Sequence, residues 1–388
     1  MVPAFERLTR VTSDQRLWRR GGKLGVCDRC ATVQKAIDGI WHQQIEAIYQ
    51  SYEIYRQSGG TEQATFDRES GQSSARSASL LKRFAAEFPL AGRGRLLDIG
   101  CGNGSFLKAF AASSPGWSLA GTEWDAKDRA TVESIPGVEA LYTVAPVEVP
   151  GRFDLVTMIH VLEHIPSPSA FLAALRAKLN SGGLLVVQLP DHRRNPFELI
   201  IADHSSHFTR ATVGSLFARC GYEVLTSADD WVPRELTLVA RPAENPTSSM
   251  NTPDPFAARA TVESLIGWLE LVVGAARAVA ERADSFGLFG TATAASWLAG
   301  ELGDQVRFFV DEDPSRAGRT HLDRPIYAPS DVPPGSDVFV ALPPHLGDLV
   351  AQRLGNERTR YVAPPPLPGP IQRQGGDGTV DSSRDHLK

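Results

Sequence analysis

Short apolar runs alternate with longer amphipathic stretches between residues 76 and 243, and this alternation predicts a parallel α/β sheet. The runs Arg95 to Ile99, Asp154 to Ile159 and Leu184 to Leu189 read as buried strands. "LAALRAKLNSGG" between the last two reads as an amphipathic helix closed by a Gly-Gly turn. A Pro, Ser, Thr and Asn-rich stretch, "RPAENPTSSMNTPDPF", breaks the pattern. After it, "TVESLIGWLELVVGAARAVAERA" has the period of a long helix, and a second α/β alternation fills residues 257–364. Residues 1–75 form a small N-terminal unit of mixed pattern, and residues 365–388, rich in Pro, Gly and charge, are expected to be a disordered tail.

Composition narrows the function classes. A chain of 388 residues has room for two or three domains, and 42% hydrophobic with 22% charged residues is the profile of a globular protein. A formal charge of -5 leaves no basic footprint, so nucleic acid is not an expected partner. The N-terminal stretch lacks the apolar core of a signal peptide and no run is long enough to span a bilayer, so a cytoplasmic location without membrane contact is expected. Four cysteines make no disulfide framework in a chain of this size, and only Cys27 and Cys30 lie close together.

The most informative segment is "GRLLDIGCGNGSFLKAF", residues 94–110, a strand followed by a turn with Gly100, Gly102 and Gly104 and then a helix. Glycines allow a ligand to approach the backbone, and Asp98 at the strand end can accept its polar groups. A second strand, "WSLAGTEWD", ends in Glu123 about twenty residues after the loop, where a Rossmann-type site places a carboxylate on ribose hydroxyls. A nicotinamide site and a degenerate nucleotide fold share these features. The combination resembles the first two motifs of class I S-adenosylmethionine (SAM) methyltransferases. That resemblance implies a Rossmann-like methyltransferase domain with SAM as cofactor. Asp98, Gly100, Cys101, Gly102 and Gly104 would cradle its methionine part, and Glu123, next to Trp124, would bind the ribose.

"IHVLEHIPSP", residues 159–168, contains His160, Glu163 and His164 in the H-x-x-E-H order of inverted zinc proteases. That zinc site needs a continuous helix, whereas here a strand ends at Ile159 and Pro166 and Pro168 follow. The segment instead resembles the fourth methyltransferase motif. His160 is then a cleft residue beside the cofactor, and Glu163 and His164 are expected to cap or pack the next helix.

Substrate chemistry is expected in "NPFELIIADHSSHFTRATVGSLFARCGYEV", where Asp203, His204 and His207 gather before a helix. Histidine takes up protons near neutral pH and a neighbouring carboxylate can orient it, although Asp203 and His204 could equally cap the helix and fix the loop. The three-part organisation resembles the C-methyltransferases of nucleotide-linked keto-sugars in deoxysugar and polysaccharide biosynthesis. By that resemblance, the proton beside a ketone is removed and the enolate carbon takes the methyl group. His204 would be the base, with Tyr52, Tyr55 or His207 donating to the enolate oxygen. Asp203-His204 stands where that family has Glu-His, while Ile201 and His207 replace two of its tyrosines, which leaves the sugar open. An O- or N-methyltransferase of a small metabolite and a non-catalytic SAM-binding protein are the other readings.

"GVCDRCATVQ" resembles half of the same family's zinc knuckle, and a second cysteine pair is missing. Zinc on Cys27 and Cys30 would need His42, Asp14 or a partner chain; otherwise the two are free thiols on a turn. Beyond them come Tyr49, Tyr52 and Tyr55, then Gly59 and Gly60, in a segment that reaches over the cleft in the resembling family, so that Tyr55 and Gln57 would line it. In the C-terminal unit a turn at Gly290 and Thr291 precedes a strand ending in Asp311, the spacing of a nucleotide fold without the full glycine set. A second nucleotide site and a domain that closes over the substrate both fit this pattern.

Overall fold

In the computed structural model, which describes residues 1–52, 64–66, 73–244 and 253–369, the central strands join in one seven-stranded sheet. These are β1 (Gly94–Ile99), β2 (Trp117–Thr122), β3 (Val138–Tyr142), β4 (Phe153–Ile159), β5 (Leu179–Pro190), β6 (Tyr222–Ala228) and β7 (Glu235–Pro242). Their order is β6-β7-β5-β4-β1-β2-β3, parallel except at β7, which runs antiparallel to both neighbours. Every expected strand is present, and β5 extends toward its N-terminus to Leu179, past the Gly-Gly pair read as a turn. Apolar side chains on both faces are covered by helices, as a parallel sheet requires, in two clusters around Leu97, Val156 and Leu185 on one face and Leu96, Leu155 and Val186 on the other. The chain leaves β1 toward β2 on one side and reaches β4 on the other. The crevice between the carboxyl ends of β1 and β4 is therefore the topological switch point where open α/β sheets bind ligands.

The N-terminal unit is tied to this domain by backbone pairing. Leu24–Val26, Val33–Lys35 and Ser206–His207 form a three-stranded antiparallel sheet with Val33–Lys35 in the middle, so the histidine loop contributes the third strand. The Ala202 N–H also donates to the Val11 carbonyl at 2.7 Å. A helix follows at Gly39–Tyr49, capped by the Asp38 carboxylate, which accepts from the Trp41 N–H at 2.9 Å.

The long helix spans Pro255–Ala280, starting earlier than the apolar period alone indicated because Pro255 is preset for a first helical position and Asp254 caps it. It leads into a six-stranded sheet of β8 (Phe286–Phe289), β9 (Phe308–Val310), β10 (Thr320–His321), β11 (Arg324–Tyr327), β12 (Ser336–Val340) and β13 (Thr359–Val362). The order is β10-β11-β9-β8-β12-β13, parallel except for the β10-β11 hairpin. One apolar core unites Phe5, Leu8 and Val11 with Phe197 and Ile200 and with Trp268, Trp297 and Phe339. Residues 365–369, expected in the tail, are ordered against this core: Trp268 Nε1 donates to the Pro365 carbonyl at 3.0 Å and Leu367 packs beside it. The rest of the tail, together with Tyr55, Gln57, Gly59 and Gly60, lies outside the described residues. Among the described residues no helix is long and apolar enough to cross a membrane.

Candidate functional site

The turn after β1 is built on left-handed backbone, with φ of 67° at Gly100, 55° at Gly102 and 81° at Gly104. A Cβ at Gly100 would come within 2.5 Å of Val161 Cγ2, and one at Gly104 within 2.6 Å of Ile135 Cδ1. The loop is thus pressed against the segments after β2 and β4, with no room for a side chain at Gly100 or Gly104. Beneath it Asp98 is buried, opposite Thr157 of β4 in register, and its Oδ1 accepts from the Thr157 hydroxyl at 2.6 Å. Burial raises the Asp98 carboxyl to about 7, against the opposing effect of the Thr157 hydrogen bond. Cys101 is buried too, and its N–H donates to the Thr122 carbonyl at 3.0 Å.

Glu123 follows β2 at the lip of the loop. Its Oε1 accepts from the Gly102 N–H at 2.8 Å and its Oε2 from the Trp124 N–H at 2.7 Å, while burial raises its pKa. Asp98, Gly100, Cys101, Gly102, Gly104 and Glu123 therefore form one continuous wall of the switch-point crevice. Trp124 is 75% exposed and stacks on Tyr49 with centroids 5.7 Å apart. The Lys127 ammonium donates to the Tyr52 carbonyl at 3.2 Å, so the N-terminal unit meets this same edge.

His160 stands at the carboxyl end of β4 with φ of 55°, unusual for a residue with a Cβ. Its Nε2 lies 3.1 Å from Glu235 Oε2 and its Nδ1 3.4 Å from Glu163 Oε1. Burial alone would lower its pKa, but the Glu235 carboxylate and then the Glu163 bond raise it to about 9, and Glu235 falls to about 2 against the upward pull of its own burial. Glu163 and His164 do not cap the following helix, whose N-cap Ser167 has no side-chain bond. They turn inward instead, because the chain after β4 makes a single 3-10 turn, Leu162–His164, that carries Glu163 into the interior.

The histidine loop departs from its expected pairing. Asp203 does not orient His204: its Oδ1 accepts from the Ser13 N–H at 2.8 Å, and its Oδ2 accepts from the Ser13 hydroxyl and lies 3.4 Å from His164 Nδ1. His164 Nδ1 is also 3.1 Å from the Asp203 carbonyl and 3.2 Å from the Tyr49 hydroxyl. The His204 ring meets His164 edge-on at 4.7 Å, and its Nδ1 is 3.9 Å from Glu198 Oε2. His207 lies 5.8 Å from the His204 ring and 6.1 Å from His192. Burial, helped by the neighbouring histidines and Lys35, holds His204 and His207 well below the usual imidazole range, so both are neutral at physiological pH. Tyr52 donates to no histidine and sits 3.3 Å from the Ser13 hydroxyl.

Four residues of this site, Ser13, Thr157, Glu198 and Glu235, are absent from the sequence reading. Ser13 and Glu235 carry no local motif and are brought in by the fold alone. Thr157 could have been found by aligning the carboxyl ends of β1 and β4.

The cysteine pair stands alone. Cys27 and Cys30 lie on a turn closed by the Ala31 N–H to the Cys27 carbonyl at 2.9 Å, and Cys30 Sγ donates to the Thr32 hydroxyl at 3.3 Å. His42 Nδ1 is 2.9 Å from the Asp38 carbonyl and Asp14 binds Arg16 at 2.8 Å, so neither supplies the missing ligand. Among the described residues no third metal-ligating side chain joins the pair. In the C-terminal unit Asp311 accepts from the Thr291 hydroxyl at 2.6 Å and pairs with Arg316 at 3.1 Å, which ties the turn to the strand end.

Residues 71–227 match the family model described as a methyltransferase domain. The chain is 31% identical over 127 residues to a ubiquinone biosynthesis O-methyltransferase of Xanthomonas euvesicatoria, an overlap of 31% of this chain and 53% of the relative. With a ubiquinone biosynthesis O-methyltransferase of Bordetella bronchiseptica the identity is 33% over 116 residues, 28% of this chain and 46% of the relative. The chain thus spans about half the length of the curated relatives it matches. A solved 1,6-didemethyltoxoflavin-N1-methyltransferase of Burkholderia thailandensis aligns over 57% of this chain and 100% of its own, with 17% identity and a TM-score of 0.41. The matched stretch coincides with β1 to β6 of the doubly wound sheet, so the centre of the chain is similar in sequence to a methyltransferase domain and has the Rossmann-like α/β fold.

Proposed function

We propose that the chain is a SAM-dependent methyltransferase of a small-molecule acceptor, with the cofactor at the carboxyl ends of β1 and β2. The observation that carries this reading is the Glu123 carboxylate, set at the lip of the glycine loop and held there, among the described residues, by the Gly102 and Trp124 backbone N–H groups. A carboxylate so placed can exchange those bonds for ribose hydroxyls, and the glycine loop admits the amino-acid end of the ligand. When bound, SAM supplies an electrophilic methyl group. Gly100 to Gly104 fix the cofactor's orientation, and His160, locked between Glu163 and Glu235, forms the rigid floor across the crevice.

As the finer reading, the acceptor is a nucleotide-linked keto-sugar methylated at carbon through an enolate, supported by the likeness of the three-part chain to that family. The names of the curated relatives favour O-methylation as the second reading. Two measurements test the proposal. Calorimetry should give SAM a Kd in the micromolar range, on the order of 8 kcal/mol. Glu123→Ala should weaken it about tenfold or more, since a lost charge-assisted hydrogen bond is worth about 1.5–3 kcal/mol; NADH binding without SAM binding refutes the assignment. With a nucleotide-linked keto-sugar deuterated beside the ketone, C-methylation requires loss of that deuterium to the base, whereas methyl transfer to a hydroxyl oxygen leaves it in the product.

A further inference from the structure

We propose that Glu163, His164 and His204 form a binding site for a divalent transition-metal ion of the zinc type. One ligating atom from each of the three lies within 4.8 Å of those of the other two. The Glu163 side chain is 2% exposed; its Oε2 has no donor among the described residues, and its Oε1 faces only His160 Nδ1 at 3.4 Å. His204 is equally enclosed, and its Nδ1 is likewise without a hydrogen-bond partner. Polar atoms this deep are costly to leave without a partner, a charged group most of all, unless a ligand satisfies them. Glu163 and His204 both carry such an atom, and the two side chains meet here.

The surroundings of His164 point the same way. Its Nδ1 faces the Asp203 carbonyl at 3.1 Å, the Asp203 carboxylate at 3.4 Å and the Tyr49 hydroxyl at 3.2 Å. A carbonyl can only accept, so Nδ1 carries the ring N–H and Nε2 is left as the ligand, and a carboxylate behind an imidazole is the usual outer support of a metal-bound histidine. Two imidazoles and one carboxylate suit zinc, cobalt or nickel better than magnesium or calcium, which prefer all-oxygen shells. Bonds of about 2.1 Å put tetrahedral ligands about 3.4 Å apart, so atoms within 4.8 Å of one another would draw together by at most about 1.4 Å on binding. The site differs from the protease pattern that the same sequence resembles: His160 is taken by Glu235, and the third ligand comes from the loop after β5. Three protein ligands leave a fourth position for an oxygen ligand, and polarising an acceptor oxygen there would give His204 a ligand's role in place of a base's. That role rests on the methyl-transfer reading; the binding of metal does not.

The test uses the full chain, stripped with chelator, dialysed and titrated with zinc or cobalt. The Cys27→Ser/Cys30→Ser double variant should still bind about one equivalent, and its cobalt complex should show visible d–d bands without a thiolate charge-transfer band. Glu163→Gln and His204→Ala, each in that background, should lose stoichiometric binding while keeping the far-UV circular dichroism of the stripped parent. Less than about a tenth of an equivalent on the cysteine-free variant overturns the site, as does undiminished binding after either ligand substitution. If those variants fail to fold, the cobalt spectrum of the unsubstituted protein decides: thiolate charge transfer overturns the proposal, and nitrogen and oxygen ligation alone supports it.

Discussion

Asp98 shows how a single side chain is set by where its strand ends. It sits beneath the glycine loop with one hydroxyl donor, and burial outweighs that donor to raise its carboxyl from 3.8 to about 7. A carboxyl whose folded pKa exceeds its unfolded value holds its proton more tightly in the folded chain. Its contribution to stability is therefore full below about 4 and is lost as pH rises toward 7. Asp98→Asn removes the titration but keeps an oxygen for Thr157. The variant should gain on the natural chain in denaturant unfolding as pH rises from 4 to 8, by at most about 4 kcal/mol. A stability difference that stays flat across this range would show that Asp98 ionises as an ordinary carboxylate.

At the scale of elements, legibility follows the distance over which a signal is written. The strands β1, β2, β4 and β5 each announce themselves within a few residues, and the glycine turn and Glu123 lie one strand-helix-strand unit apart, so the wall proposed for the cofactor is written locally in the chain. The pairing of Asp203 with Ser13 spans 190 positions and depends on the N-terminal sheet, which no local pattern announces. The same holds for His160 and Glu235, joined because β7 inserts next to β5. Val33–Lys35 is the element on which the histidine loop depends, since it lies between Leu24–Val26 and Ser206–His207. Gln34 is opposite both Gly25 and Ser206, and proline at a central strand position removes a ladder donor. Gln34→Pro should therefore cost about 1–3 kcal/mol through the lost ladder bond and raise amide exchange in both Leu24–Val26 and residues 203–207. Unchanged exchange in the loop would mean that the N-terminal strand does not hold it.

At the scale of the whole molecule, the division of the chain by composition and the division by packing do not coincide. The central domain has its own cores on the two faces of its sheet. The N-terminal unit and the C-terminal domain instead share one, in which Phe5, Leu8 and Val11 meet Trp268, Trp297 and Phe339 across Phe197 and Ile200. Rim contacts reinforce this union, with Arg7 on Glu270 at 2.7 Å and Arg20 on Glu301 at 2.7 Å, though exposed pairs of this kind add little. Removing residues 253–388 would uncover the apolar side of the N-terminal unit, including the segment 197–201 that leads into the histidine loop. Buried apolar surface contributes about 25 cal/mol per Å², and a small unit stripped of most of its core cannot offset its chain entropy. A chain ending at residue 252 should therefore keep the SAM-binding sheet, visible as retained cofactor affinity, while the N-terminal unit loses protection from proteolysis and the protein binds hydrophobic dye. In the full chain, calorimetry should resolve at most two transitions, and the one SAM does not shift should contain the N-terminal and C-terminal parts together. Independent melting of those two parts, or a truncated chain with an intact N-terminal unit, would show that the shared core is only a contact between separately stable domains.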